Sequence, residues 1–120
     1  MFTPEYVSVA IMSAKNSTAL DPDGLAIKML NHMGEQGVNY LCKVFNICIN
    51  TFEIPQKGKL GKIIPLPKPG KPLHQGSSYR PITNLSPMVK VLESLILPTL
   101  REVLPIADNQ HGFRSGHSTM

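Results

Sequence analysis

Tryptophan is absent and aromatic residues make up only 6% of the 120 positions, so any core must be built mainly from aliphatic side chains. Cysteine is nearly absent too. Cys42 and Cys48 stand six apart, about 240° round a helix at ~100° per residue, so they read as small buried apolar residues with no disulfide or metal role. No apolar run approaches the ~20 residues of a membrane span. The N-terminus MFTPEYVSVA lacks the basic and apolar parts of a secretory signal, so an intracellular, soluble setting is expected. The most telling absence is local: residues 54–92 contain no Asp or Glu.

That acid-free stretch holds seven cations, Lys57, Lys59, Lys62, Lys68, Lys71, Arg80 and Lys90. Residues 1–53 carry three cations against five acids and residues 93–120 two against three, so the formal +4 conceals one strongly positive centre between slightly negative flanks. Concentrated charge of one sign repels itself, and a polyanionic partner explains it naturally, phosphate first. With 17% charged and 42% hydrophobic residues, the chain is too apolar for a disordered tail and sized for one domain.

In chain order, Thr3-Pro4-Glu5 is a helix start, and a helix is expected over residues 4–14 with Tyr6, Val7, Val9, Ala10 and Ile11 on its buried face. Asp21-Pro22-Asp23-Gly24 reads as a turn plus the N-cap of the next helix rather than a cation site, since no further acids stand at loop spacing. A second helix is expected over residues 25–33, closed by Gly34, and a third over 36–52, with Val38, Leu41, Phe45, Ile49 and Phe52 as its core stripe and Pro55 as its stop. Residues 59–66 and 79–85 are short β-capable runs around a Pro, Gly, Lys and Ser-rich connection, which predicts an antiparallel hairpin with a basic tip. Pro65 and Pro81 cannot donate to a ladder, so these must be edge or irregular strands. Ser86-Pro87 starts a last helix, with Val89, Leu92, Ile96 and Leu100 on one face and Pro98 as a kink or end. The turn-rich tail closes on Ser118-Thr119-Met120, which looks like another helix start.

Several chemistries are excluded. No nucleophile-elbow pattern fixes a serine near the four histidines, His111 and His117 have no cysteine nearby to complete a zinc site, and no Walker-type loop is present. Lysine ammoniums and the Arg80 fork on a projecting loop suit triphosphate or nucleic-acid backbone. The plain alternative is a solvated lysine-rich edge that discourages aggregation.

Four segments carry a family resemblance: Ser17-Thr18-Ala19-Leu20-Asp21-Pro22-Asp23-Gly24, Ile63-Ile64-Pro65-Leu66-Pro67-Lys68-Pro69-Gly70-Lys71, Ser77-Ser78-Tyr79-Arg80-Pro81-Ile82 and Gln110-His111-Gly112-Phe113-Arg114. In this order they resemble the N-terminal motifs of reverse transcriptases of non-LTR retrotransposons, the jockey-like and LINE-type elements. The resemblance implies an α+β, partial fingers and palm fold. Residues 1–53 would be an N-terminal helical segment, 54–85 the fingers hairpin, and 86–120 the helix and loop leading to the palm. It implies that Arg80, Lys68, Lys71 and Lys62 bind nucleotide phosphates and that Gln110, Gly112, Phe113 and Arg114 line the template pocket. The implied partners are an RNA template, a DNA primer, deoxynucleoside triphosphates and the remainder of the polymerase chain, and the implied setting is the nucleus or a cytoplasmic ribonucleoprotein.

Polymerases transfer phosphoryl groups with two divalent cations held by carboxylates. In this family those carboxylates follow the Gln110-to-Arg114 motif, so Mg²⁺ is expected in the complete enzyme, with no catalytic or metal residue in this chain and no activity from it alone. Two departures stand out. Asp21 occupies a usual glycine position, which costs something if φ must be positive there, and Gly58 replaces a usual tryptophan, which should loosen the hairpin base. Together with the ending at Met120 they suggest a decayed element copy or an incomplete gene model, and apolar helix faces left uncovered, including parts of Val89, Leu92 and Ile96.

Overall fold

The computed structural model describes residues 1–15 and 19–118; Ser17 and Thr18 of the first motif, and Thr119 and Met120 of the expected last helix start, lie outside the described residues. Thr3 caps α1, Pro4–Ser13, by accepting the Tyr6 N–H on its hydroxyl at 3.2 Å, with Pro4 at the first helical position. Val7 and Ile11, one turn apart, are buried, whereas Tyr6 and Val9 are largely exposed. The buried face is narrower than the apolar letters suggest, because Val9 lies about 200° round from Val7.

α2 is a single turn, Ile27–Leu30, shorter than the expected residues 25–33. Its N-cap is Ala26, which offers no side-chain acceptor, and not a residue of the turn at residues 21–24, because Asp21 spends its carboxylate on the Asp23 and Leu25 N–H groups before the helix begins. Gly34 has the expected left-handed φ of 72° but stands at the start of α3, Gly34–Thr51. α3 stops before Pro55, because Phe52 itself turns left-handed with φ 57°. Phe52 is therefore thrown outward, 93% exposed, and Ile49 also faces out; Leu41, Cys42, Phe45 and Cys48 make the buried stripe, with Val38 packed beside it. Both cysteines are buried and free.

α4 runs Pro87–Val103, straight through Pro98, and Ser86 makes no side-chain cap hydrogen bond. Its buried line is Val91, Leu92 and Leu95, with Val89 and Ile96 at the margins and Leu100 outward. These three residues join Val7, Ile11, Ile27, Leu30 and the α3 stripe in one core. The large apolar side chains left exposed on α4 are Met88, Leu97, Leu100 and Val103; Val89 and Ile96 are half-buried and Leu92 is buried.

The fold is α+β: among the described residues, these four α-helices carry a two-stranded antiparallel hairpin. A 3₁₀ turn, Gln56–Lys59, delays the first strand, so β1 is Gly61–Pro67 rather than residues 59–66; β2 is Tyr79–Leu85, as expected. Gly61 pairs with Leu85, Pro65 with Pro81 and Pro67 with Tyr79. One step further, the Lys68 N–H donates to the Ser78 carbonyl at 2.7 Å. Hydrogen-bonded and open pairs alternate along such a ladder, so Pro65, Pro67 and Pro81 all fall at open positions, where an N–H would point outward. The prolines thus cost the hairpin no internal bond. β1 is exposed along its whole length, and in β2 only Asn84, near the base, is buried.

Among the described residues no helix is long and apolar enough to cross a membrane.

Candidate functional site

Alternation along the strands sorts the hairpin into two faces. Lys62, Ile64 and Leu66 of β1 share one face with Asn84, Ile82 and Arg80 of β2, their direct partners. Lys62 and Arg80 mark the two ends of an exposed aliphatic patch, about 13 Å apart along the strands at ~3.3 Å per residue. Neither side chain makes a hydrogen bond or ion pair among the described residues.

The tip is built from turn chemistry. Lys68-Pro69-Gly70-Lys71 closes with the Lys71 N–H donating to the Lys68 carbonyl at 3.3 Å, and Gly70 supplies the φ of 72° that such a turn requires. Two bonds staple the connection behind it. The Lys68 Nζ donates to the Ser77 carbonyl at 2.8 Å, and the Tyr79 hydroxyl donates to the Leu73 carbonyl at 2.8 Å. Lys68 therefore has part of its donor capacity committed inside the loop, while the Lys71 ammonium has no partner among the described residues.

The hairpin base is tied down by three elements. Asn84 donates from Nδ2 to the Leu20 carbonyl at 2.9 Å and accepts on Oδ1 from the Lys90 Nζ at 3.0 Å. Lys57 pairs with Asp23 at 3.7 Å, both well exposed, the one ion pair among the described residues. Such a solvated pair is worth at most about 1 kcal/mol. The loop it reaches is ordered by Asp21, whose buried carboxylate oxygen Oδ1 accepts the Asp23 and Leu25 N–H groups at 2.9 and 2.8 Å. Asp21 is not left-handed, so the cost expected for replacing glycine does not arise.

Gly58 lies over an apolar cavity of about 210 Å³ walled by Phe45, Cys48, Ile54, Met88, Val89 and Leu92. A Cβ there would come within 3.0 Å of Val89 Cγ2 and 3.2 Å of Ile54 Cγ2, so a side chain at 58 would point towards the walls of that space. A large side chain from residue 58 would therefore reach that space only if Val89 and Ile54 shift by a few tenths of an ångström.

Gln110, Gly112, Phe113 and Arg114 sit in the C-terminal loop, and the side-chain hydrogen bonds of Gln110 and Arg114 stay within it. Gln110 donates to the Gly112 carbonyl at 2.9 Å and Arg114 to the Ala107 carbonyl at 3.3 Å. Phe113 is left-handed at φ 60° and fully exposed. Sequence reasoning missed Asn84 and the Asp21 carboxylate as structural ties; Asn84 bonds a carbonyl 64 positions away, which no local pattern signals.

No group of three or more His, Cys, Asp or Glu is close enough to hold a metal among the described residues. The donor set does not fit a pair of divalent cations: Asp21 spends its carboxylate on backbone N–H groups and Asp23 faces Lys57.

No family model matches the sequence. Curated proteins do. The probable RNA-directed DNA polymerase from transposon X-element of Drosophila melanogaster is 33% identical over 123 residues, covering 99% of this chain and 14% of that protein. The probable RNA-directed DNA polymerase from transposon BS of the same species is 32% identical over 97% of this chain, and the RNA-directed DNA polymerase from mobile element jockey of Drosophila funebris 33% identical over 98%. The chain spans only 13–14% of the length of these relatives. Over nearly all of its length the chain is thus similar to a short part of the RNA-directed DNA polymerases of non-LTR retrotransposons.

Proposed function

We propose that the hairpin is the phosphate-holding element of an RNA-directed DNA polymerase, with Arg80, Lys71, Lys62 and Lys68 gripping the incoming triphosphate and the backbone of the RNA template. The observation that carries this reading is the state of the charge. Of the seven cations in residues 54–92, only Lys57 faces a carboxylate among the described residues, so six are left without an acidic partner on an exposed structure. Lys90 gives a hydrogen bond to Asn84 and Lys68 one to the Ser77 carbonyl, while Lys62, Lys71 and Arg80 keep their side chains available to a ligand.

Gln110, Gly112, Phe113 and Arg114 would line the template pocket once the rest of the polymerase is in place. Residues 1–53, 54–85 and 86–120 would then be helical support, fingers hairpin and lead into the palm. The Mg²⁺ ions of the reaction would be held by carboxylates that this chain does not contribute, so the chain binds without catalysing. A primer, deoxynucleotides and an RNA template are the substrates of the whole enzyme.

Salt dependence tests the binding. With about four hairpin cations on single-stranded phosphate, log K for a short RNA should fall with log salt at a slope near −3, from ~0.7 per contact. A flat dependence overturns the phosphate reading. Primer extension by the 120-residue chain with Mg²⁺ should give no product, and synthesis would overturn the division of labour.

A further inference from the structure

Asn84 is the buried polar side chain at the point where the exposed hairpin meets the helical body. Both ends of its amide are used, one on the loop before α2 and one on the α4 lysine, at 2.9 and 3.0 Å. A carboxamide is the small neutral group that can donate to a carbonyl and accept from an ammonium at once. Elsewhere the hairpin has little to hold its angle: β1 is exposed throughout, and the other tie, Lys57 to Asp23, is a solvated ion pair. The hairpin base beside Gly58 also borders open apolar space rather than a filled contact. Asn84 shares its strand and its face with Arg80, four residues towards the tip, so rotation at Asn84 is magnified at Arg80.

We propose that Asn84 is the positioning residue of the hairpin, the strut that bridges the Leu20 carbonyl and the Lys90 ammonium and so fixes the angle at which Lys62 and Arg80 are presented to phosphate. Its effect on affinity rests on the phosphate-binding reading above; its effect on geometry does not. A positioning residue touches no phosphate, so its loss leaves the number of displaced counterions unchanged. It acts by spreading the contacting cations over many orientations, and preorganisation is what is lost.

The test uses Asn84→Ala and the isosteric Asn84→Asp, which keeps an acceptor for Lys90 but has no donor for the Leu20 carbonyl. Nitroxides at Tyr40→Cys on α3 and Leu73→Cys at the tip, both exposed positions, report the hairpin angle once Cys42 and Cys48 are replaced by Ala. Far-UV circular dichroism confirms that each variant keeps its helices. The expected result is a broadened distance distribution in both variants and, for a 20-nucleotide single-stranded RNA, about tenfold weaker binding with an unchanged salt slope. An unchanged distribution overturns the strut. A slope lowered as far as that of Arg80→Ala overturns it in favour of direct contact. If the parent chain binds no RNA, the phosphate-binding reading fails, and the distance measurement still decides whether Asn84 holds the hairpin.

Discussion

Pro65 lies directly opposite Pro81 across the hairpin, at a pair where neither backbone nitrogen is asked to donate inward. The two rings, with Pro67, strip donors from both outer edges. Ile63 and Thr83 keep outward N–H groups, but an edge interrupted in this way is a poorer template for a further strand, which works against sheet-to-sheet association.

Replacing Pro65 and Pro81 together by Thr restores those donors. The double variant should keep the hairpin and gain a tendency to associate, seen as a rise in light scattering and in thioflavin binding over hours. A variant that stays as monodisperse as the parent would show that the prolines do not guard the edges.

Arg80→Ala should weaken binding of a single-stranded RNA about three- to tenfold and lower the salt slope by about 0.7, one phosphate contact. Lys68→Ala should lower the slope less, because Lys68 already donates to the Ser77 carbonyl. Equal slopes for both variants would contradict this order.

Asp21→Gly should destabilise the fold by about 1–2 kcal/mol, since the carboxylate that accepts two backbone N–H groups is removed and no left-handed strain is relieved. Urea denaturation measures it. A more stable glycine variant would mean that the carboxylate contributes nothing.

Gly58→Trp should fill the cavity beneath the hairpin base and raise stability by about 1–3 kcal/mol, while Gly58→Ala, which meets Val89 and Ile54 without filling the space, should be neutral or slightly unfavourable. Thermal melts separate the two. A lower melting temperature for the tryptophan variant would show that the walls cannot yield.

Much of this architecture was legible in the residues, and the failures have physical causes. The Thr3 cap and the second strand were readable because hydroxyl, proline and turn chemistry act over a few positions. α4 was harder: with Val89, Val91, Leu92, Leu95, Ile96, Leu97 and Leu100 all apolar, its pattern fits more than one face, and only packing against α1 and α2 selects Val91 and Leu95. Phe52 looked like core by spacing, yet the left-handed turn that ends α3 lies at that very residue and redirects its ring. The cationic hairpin was visible as charge without acids. The amide that braces it was not, because its partners come from distant parts of the chain.

The two staples behind the tip, Tyr79 to Leu73 and Lys68 to Ser77, bracket His74, Gln75 and Gly76 with main-chain carbonyl acceptors. Those acceptors are present whatever side chains lie between, so the bracketed segment is a place where length and composition can drift while the basic turn keeps its shape. Doubling such a loop costs only about 0.6 kcal/mol in closure entropy. A longer or different segment could therefore be accommodated here at little cost to the tip.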